Sequence, residues 1–447
     1  MISFLGTNEY LPCIYQKGDF IASESRFIQT ALYEMLQHEG TKIDQVYIFL
    51  TEEAKNANYY DSISRFSKER LVGLHNIWKE KFGNEQVELI PVDISSSQLE
   101  EDQWELFEKI YHIIDENDEL YFDITHSFRS NPVIALIIAN FAKTIKNARL
   151  KRMFYGNFEV LGPAPEVSKI PVEERFAPIV DITSMLELLD WTIGIDSFLR
   201  TGNPVQIHQL AEDKGRSLHK HPEYQTIINF SKNLNSLNLN IETVRGLNFQ
   251  KEVVQSFKSY EEVKKQGATI LPQFDKLTNK VEEKLSYFIP EENSVENDFA
   301  SVLWAFDHGL YQQSITLLVE HTITIIANKL HLDSYNINDR MAISSYLQQI
   351  IRYGYKEEND SKENKYKNGL NVQQVQKDLA GLLETYPVLK HFHAAVELRN
   401  DINHGGFREE SVLAKNIQKK VRKNINNLKP FFEQIIEENR KVSVGKS

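Results

Sequence analysis

The stretch ELYFDITHSFRSNPVIALIIANFA, residues 119–142, decides the fold of the first part of this chain. It opens with β-branched and aromatic residues, passes through a polar run and closes with an apolar run. That apolar run is about half of the roughly 20 residues that a membrane-spanning helix needs. Asn131 is suited to cap a helix and Pro132 to be its first residue. The stretch therefore predicts a strand, a polar turn and a buried helix.

The same alternation runs through the first part of the chain. Strands rich in β-branched and aromatic residues, separated by helices, are typical of a parallel sheet wrapped on both faces. We therefore predict a Rossmann-like domain. The predicted strands are MISFLG at the N-terminus, Gln45–Thr51, Val87–Asp93, Glu119–Thr125 and Lys151–Phe158, and the helical patterns lie near Ile21–His38, Ser62–Phe82, Gln98–Glu116 and after Pro132.

A proline-bearing segment from Leu161 to Pro178 interrupts the alternation, and strand patterns nearly vanish after it. The polar run PEENSVEND separates a last helical block from the helical patterns before it. The predicted fold class is α/β plus all-α. Its predicted domains are a Rossmann-like domain at 1–177, a helical connector at 178–295 and a C-terminal helical domain at 296–447.

The amino-acid composition excludes or disfavours several classes of protein. The 447 residues carry a net charge of −12, which disfavours a protein that coats nucleic acid over a broad basic face. A single cysteine excludes an intrachain disulfide framework and a cysteine-based zinc finger. The N-terminus lacks the pattern of a secretory signal, so we expect a cytoplasmic protein without a membrane segment.

Two predicted strands end in polar runs at which a ligand could bind. Ligands of open parallel α/β sheets bind outside the carboxyl ends of the strands, where strand order reverses. The backbone amides at the start of the helix that follows the second run favour an anion. A phosphate or nucleotide site is predicted, although such residues also cap helices and His126 could be a satisfied neutral imidazole. The predicted ligand-binding residues are Gly6, Thr7, Asn8, Asp123, Thr125, His126, Ser127, Phe128, Arg129 and Ser130.

The segment LRNDINHGG, residues 398–406, contains an arginine followed five positions later by a histidine. The spacing is weak by itself, since it occurs at Arg70, Arg216 and Arg399. The third case differs because an apolar stripe at helical spacing leads up to Arg399, and a buried stripe that ends in a charge needs a partner or a function. Two glycines after His404 predict a helix end.

Arginine and histidine together suit the cleavage of RNA. The planar guanidinium offers paired charged donors to a phosphate, and histidine moves protons near neutral pH. Residues five apart on a helix are separated by about 140°, so a site from Arg399 and His404 would form where two helix ends meet in a dimer. A helix-end salt bridge or a partner for the helix dipole is the alternative.

With these motifs the chain resembles the CRISPR-associated ribonucleases of type III systems, which pair a CARF sensor domain with a HEPN nuclease domain. The resemblance spans essentially the whole chain. The residues that match the sensor motif D-x-T-H are Asp123, Thr125 and His126, and those that match the nuclease motif R-N-x3-H are Arg399, Asn400 and His404. Glycine commonly follows the sensor motif, and Ser127 stands there in this chain, which leaves the ring size of the ligand open.

The resemblance implies a homodimer or a higher oligomer that binds a cyclic oligoadenylate as allosteric activator. The activator would switch on cleavage of single-stranded RNA by 2′-hydroxyl attack, without metal or cofactor, in antiviral defence. Arg399 would stabilise the phosphate, His404 would act as general acid and base, and Asn400 would orient one of them. The basic stretch Lys415–Lys429 offers either a path for RNA or an ordinary solvated face.

The sequence also permits two other hypotheses about function. A nucleotide-sensing regulator whose helical middle binds DNA or a protein partner would use the same sensor domain without cleavage. The Rossmann-like domain could also degrade its own ligand. The sequence decides neither of these, nor the ring size of the activator, the RNA preference and the assembly beyond a dimer.

Overall fold

A computed structural model describes residues 1–65, 67–83, 87–97, 99–126, 130–217, 222–266, 274–355, 372–407 and 409–444. The chain forms two compact units, Met1–Glu187 and Leu188–Ser447. The predicted fold class is confirmed, because the first unit is α/β and the described residues of the second are helical. Three predicted ligand-binding residues, Ser127, Phe128 and Arg129, lie outside the described residues.

The first unit is built on a mixed sheet that is mostly parallel. Its described strands are β1 (Ile2–Leu5), β2 (Ile14–Lys17), β3 (Phe20–Ile21), β4 (Gln45–Leu50), β5 (Ser62–Ile63), β6 (Arg70–Leu71), β7 (Glu88–Asp93), β8 (Glu119–Asp123), β9 (Arg149–Gly156) and β10 (Phe176–Asp181). The main sheet has the order β3-β2-β10-β9-β8-β1-β4-β7, and β5 pairs with β6 apart from it. The strands β7, β4, β1, β8 and β9 are mutually parallel, as the sequence predicts.

Helices cover both faces of this sheet. They are α1 (Ile28–His38), α2 (Glu52–Ala54), α3 (Leu74–Phe82), α4 (Glu100–His112), α5 (Asn131–Lys146) and α6 (Ala164–Val167). Side chains of α1 and α3 belong to one hydrophobic cluster, and side chains of α4 and α5 belong to another. Adjacent residues of β1 divide between them, with Phe4 in the second cluster and Leu5 in the first. Alternation along the strand thus places one apolar layer on each face.

Two predictions about the first unit were wrong. The helical pattern over Ser62–Phe82 becomes the short strands β5 and β6 before α3 begins at Leu74. The segment from Leu161 to Pro178 ends in a strand, β10, that the prolines conceal. Residues 176–178 pair with β2 in parallel, and residues 179–181 pair with β9 antiparallel. Pro178 lies where the strand changes its pairing partner, so its missing backbone amide removes little of the hydrogen bonding of the sheet.

The second unit is a bundle of helices. They are α7 (Thr183–Thr201, which begins in the first unit), α8 (Val205–Ser217), α9 (Pro222–Glu242), α10 (Gly246–Gln266), α11 (Phe274–Leu285), α12 (Val295–Asp307), α13 (Tyr311–Lys329), α14 (Ile337–Tyr353), α15 (Val372–Thr385), α16 (Phe392–Asn403) and α17 (Ala414–Val444). One hydrophobic cluster extends from Trp191 to Ile435 and crosses the predicted boundary at residue 295. The predicted boundary at residue 177 falls within β10. The division into three domains stays a prediction.

Candidate functional site

The strand order of the main sheet reverses at β1. Among the five mutually parallel strands, the chain goes from β1 outward to β4 and β7, and then returns to β8 on the other side of β1. The carboxyl ends of β1 and β8 therefore flank the point at which open α/β sheets bind ligands. The loops that leave these two strands begin at Gly6 and Ile124.

The loop after β1 lies beside the loop after β8, with Gly6 next to Tyr10 and His126. Its amide donates a hydrogen bond of 2.8 Å to the hydroxyl of Tyr10. A Cβ atom at Gly6 would lie only 2.8 Å from that hydroxyl oxygen and 3.9 Å from the Cβ of His126. The role of Gly6 in ligand binding stays a prediction. Thr7 and Asn8 are exposed beside it.

Side chains that the sequence reasoning did not single out hold this loop in place. The Nδ2 atom of Asn58 donates to the carbonyl oxygens of Gly6, at 2.9 Å, and of Asn8, at 2.7 Å. The Nε atom of Arg26 donates to the carbonyl of Tyr10 at 3.0 Å. Asn58 lies in a π-helical turn that follows α2, a rare element that is frequent at functional sites. No sequence pattern predicts that π-helical turn.

His126 follows the loop's first two residues and stacks on an aromatic ring. Its ring lies 4.0 Å from that of Tyr10 between centroids, with 20° between the planes. Burial lowers the pKa of His126 to about 4, so the imidazole is neutral at pH 7. Its Nε2 atom is buried and has no hydrogen-bond partner among the described residues. Tyr10, which the sequence analysis missed, belongs to this site.

The side chains of Asp123 and Thr125 form hydrogen bonds within the first unit. The Oδ2 atom of Asp123 accepts a hydrogen bond of 2.6 Å from Ser3, and its Oδ1 atom accepts the amide of Thr125 at 3.0 Å. The Thr125 hydroxyl accepts the amide of Gly156 at 2.8 Å. Burial raises the pKa of Asp123, while hydrogen bonds from Ser3 and Thr125 act against that rise. These two residues shape the turn that carries His126.

The helix after this loop begins one residue earlier than predicted. Ser130 is the N-cap of α5, and Asn131 is its first residue, with no side-chain capping bond at Ser130. Asn131 is buried and lines a crevice together with Ser95 and Ser97, which follow β7, and Lys109 of α4. The run of serines after β7, at residues 95–97, is a strand-end signal that the sequence analysis could have used.

The predicted nuclease residues lie at the end of α16 in the second unit. That helix ends at Asn403, and His404 is its C-cap, with its amide donating to the carbonyl of Asn400 at 3.0 Å. Gly405 and Gly406 have φ of +66° and +71°, the left-handed region in which glycine is favoured. The predicted helix end is confirmed. The residue His404 is exposed at it, and Asn400 is half-buried.

Arg399 continues a buried stripe, as predicted from its spacing. Leu389, Phe392 and Val396 are buried, and the Arg399 side chain keeps 21% of its surface exposed. Its Nη1 atom lies 3.2 Å from Oε1 of Glu320 on α13. The charge at the end of the stripe thus has a partner, which the sequence did not identify.

The other arginine–histidine pairs are placed differently. Arg70 lies in β6 with an exposed side chain that pairs with Asp61, and His75 is exposed on α3. The pair that begins at Arg216 includes His221, which lies outside the described residues. Within the described residues, no group of three or more His, Cys, Asp and Glu side chains could hold a metal ion. None of the described helices is long and apolar enough to span a membrane.

Two comparisons relate this chain to CRISPR-associated proteins, one over the first unit and one over most of the chain. Residues 1–160 match the family model of the CARF domain of the CRISPR system endoribonuclease Csx1. The CRISPR-associated protein MJ1674 of Methanocaldococcus jannaschii is 23% identical over 414 residues, which cover 91% of this chain and 57% of that protein. The chain therefore spans little more than half the length of that relative. The predicted resemblance to CARF-containing proteins of type III CRISPR systems is confirmed.

Proposed function

We propose that this chain, which carries a CARF domain at residues 1–160, is a cyclic-oligoadenylate-activated endoribonuclease of type III CRISPR antiviral defence. The observation that carries the proposal is the pairing of two features on one chain. The first unit has a CARF domain in which the loop after β1, residues 6–10, lies at the strand-order reversal. We call it the braced loop, because Asn58, Arg26 and the Tyr10 hydroxyl hold its backbone. The second unit has an arginine and a histidine at the end of one helix.

The residues at the end of α16 suit cleavage by the 2′-hydroxyl of RNA. In that reaction the 2′-oxygen gives up its proton, bonds to phosphorus and displaces the 5′-oxygen, which takes a proton. The products carry a 2′,3′-cyclic phosphate and a 5′-hydroxyl. Arg399 would stabilise the charge on the phosphate, His404 would move the protons, and Asn400 would orient one of them. None of these steps requires a metal ion.

The loop at the strand-order reversal suits a cyclic oligoadenylate. The start of α5 presents backbone amides to phosphates, and Thr7 and Asn8 add exposed hydrogen-bonding groups. The neutral His126 offers an unpartnered, buried Nε2 atom beside Tyr10. A ligand that binds better to the cleaving arrangement of the protein than to the resting one would activate it by shifting the population.

Two copies of the chain would meet along α5. Its apolar residues Val133, Ile137, Phe141 and Ile145 recur every four positions and are 42% to 59% exposed. Trp104 of α4 is 61% exposed. The stripe begins three residues after Ser130, so a twofold-related copy on it would bring a second ligand loop beside the first. We expect Ile137→Glu to shift the molar mass in light scattering toward the monomer.

The test follows cleavage of a fluorophore-quenched single-stranded RNA in EDTA, with and without cyclic tetra-adenylate or hexa-adenylate. We expect cleavage that depends on one of these rings, and its loss in Arg399→Ala/His404→Ala with ligand binding retained. Binding of either ring without any cleavage would contradict the proposal and favour a regulator whose helical middle binds DNA or a protein. Chromatography of the ligand after the reaction shows whether the CARF domain degrades it.

A further inference from the structure

One carboxylate of the second unit lies between two arginines from different helices. Oε1 of Glu320 on α13 lies 3.2 Å from Nη1 of Arg399 on α16. Its Oε2 atom lies 2.6 Å from Nη2 of Arg340 on α14. Each oxygen of the carboxylate therefore serves a different guanidinium, which fixes the plane of the carboxylate.

Arg340 is itself held firmly. Its Nη1 atom donates to the hydroxyl of Thr324 and to the carbonyl of Ser334, both at 2.9 Å, and its Nη2 atom also donates to the backbone carbonyl of Glu320 at 2.9 Å. Its side chain is only 15% exposed. Because Arg340 is bound to the backbone of α13 and to the turn before α14, it cannot follow Glu320 into another orientation without losing these bonds.

The charges of this cluster favour a role in phosphate binding. Two guanidiniums share one carboxylate, so the three side chains together carry one positive charge. A carboxylate paired with Arg399 alone would neutralise the group that must face the phosphate. With Arg340 as the second partner, Glu320 can orient Arg399 while the cluster stays cationic.

The contact with Glu320 uses one of the three nitrogens of the Arg399 guanidinium. Nη1 contacts Glu320, whereas Nε is buried and has no hydrogen-bond partner among the described residues. A planar guanidinium fixed at one nitrogen holds its two η-nitrogens in a set direction, which is what a paired contact with a phosphate requires.

We infer that Glu320 is a positioning residue for Arg399, with Arg340 as the counterion that keeps Glu320 in place. This inference rests on the proposed ribonuclease function and adds a residue to its site. Glu320 acts through Arg399 and need not touch RNA. Loss of the carboxylate therefore slows the chemical step without weakening RNA binding.

The test measures single-turnover RNA cleavage at saturating activator, alongside the affinity for a 2′-deoxy-substituted RNA. We expect Glu320→Gln to slow cleavage by about tenfold to a hundredfold. Affinity should stay equal or rise, because the variant removes a negative charge. Glu320→Asp should recover part of the rate, and Arg340→Lys should cause a smaller loss. Thermal unfolding of each variant checks its fold.

The chain offers a matched control. Glu397 lies on α16 two residues before Arg399 and pairs with Arg352 of α14 at 3.3 Å. We expect Glu397→Gln to cleave at the wild-type rate. A Glu320→Gln variant as fast as the wild type would overturn the inference alone. One that cleaves without activator would also overturn it and assign Glu320 a masking role. A wild-type protein without cleavage would refute the proposed function, and this inference with it.

Discussion

The sequence Asp-Ile-Thr occurs twice in the first unit, at the end of β8 and at the end of β10. In both copies the threonine amide and hydroxyl donate to the aspartate Oδ1, with amide distances of 3.0 Å at Thr125 and 3.1 Å at Thr183. In both, the threonine hydroxyl accepts a backbone amide of β9, at 2.8 and 3.1 Å. The three residues thus specify the same turn in two places.

The electrostatic surroundings of the two turns differ. Asp123 is fully buried with Ser3 as its second partner, and burial raises its pKa. Asp181 accepts hydrogen bonds from Lys17 at 3.0 Å and from Arg152 at 2.6 Å. Burial opposes the ionisation of Asp181, but hydrogen bonds from Thr183 and Arg152 hold its pKa well below the usual range. One turn contains a carboxyl group that resists ionisation, and the other contains a fixed anion.

The chain also leaves the two turns in opposite directions along the sheet. Asp123 and Asp181 both pair with Phe154 of β9, one from each side. Because β8 is parallel to β9 and β10 is antiparallel to it, only the first turn opens at the carboxyl ends of the parallel strands. A short motif therefore specifies local geometry, and the direction of its strand decides whether the next residue enters a ligand site.

The largest expected effect separates the two aspartates. Asp123→Ala removes the acceptor of the Thr125 donors and the nearer of two acceptors of the buried Ser3 hydroxyl, and should lower the free energy of unfolding by about 3–4 kcal/mol. Asp181→Ala should cost about 2 kcal/mol, because the Thr183 donors lose their acceptor while Lys17 and Arg152 keep Glu39 as a partner. Urea denaturation of the full chain measures both losses. Equal losses would show that the surroundings of the turns do not matter.

The two threonines should have equal structural and unequal functional effects. Thr125→Val and Thr183→Val each remove the acceptor of a β9 amide and should destabilise the protein by about 1–2 kcal/mol. Only Thr125→Val should weaken binding of cyclic oligoadenylate, by about tenfold, because its turn carries His126. Isothermal titration calorimetry measures the affinities. Equal weakening by the Thr183 variant would place the second turn in the ligand site.

The pH dependence of stability should differ in sign between the aspartates. A depressed pKa in the folded state means that Asp181 contributes stability above its ordinary value of 3.8, which is lost as the pH falls through the folded value. The stability deficit of Asp181→Asn should therefore shrink in acid. The raised pKa of Asp123 means that its ionisation costs stability as the pH rises, so Asp123→Asn should gain on the wild type toward neutral pH. Parallel curves for the two variants would contradict this.

The smallest expected effect comes from making the second turn match the first. Ser184 is exposed and follows the second Asp-Ile-Thr, and Ser184→His gives both copies the same four residues. We expect a stability change within about 0.5 kcal/mol and no added ligand-binding stoichiometry, because the chain leaves that turn away from the carboxyl ends of the parallel strands. A second bound ligand per chain would refute the argument from strand direction.

The parts of the structure that could be predicted are those with a periodic signal. The parallel strands follow from the alternation of strand and helix patterns, and the helix end before Gly405 follows from glycine chemistry. The strand β10 was not predicted because Pro178 within it indicates an interruption of regular structure. Its pairing with two different strands depends on the assembled sheet and has no local sequence pattern.

The missed site residues have a different explanation. Asn58 contacts Gly6 across 52 positions, and Glu320 contacts Arg399 across 79. No local pattern encodes such pairs, because each depends on how separate elements pack. Arg399 could therefore be predicted from the sequence to need a partner. That this partner is Glu320 follows only from the packing of α13 against α16. His126 was identified as well, but its stacking on Tyr10 required the folded loop.

The braced loop after β1 has a consequence for how this protein can vary in evolution. Asn58, Arg26 and the Tyr10 hydroxyl fix backbone groups between Gly6 and Tyr10 at set distances. An inserted or deleted residue in that interval would break several of these contacts together, whereas a substitution at the exposed Thr7 or Asn8 breaks none of them. Drift among descendants of this chain should thus alter the identity of the exposed residues and leave the length of the loop unchanged.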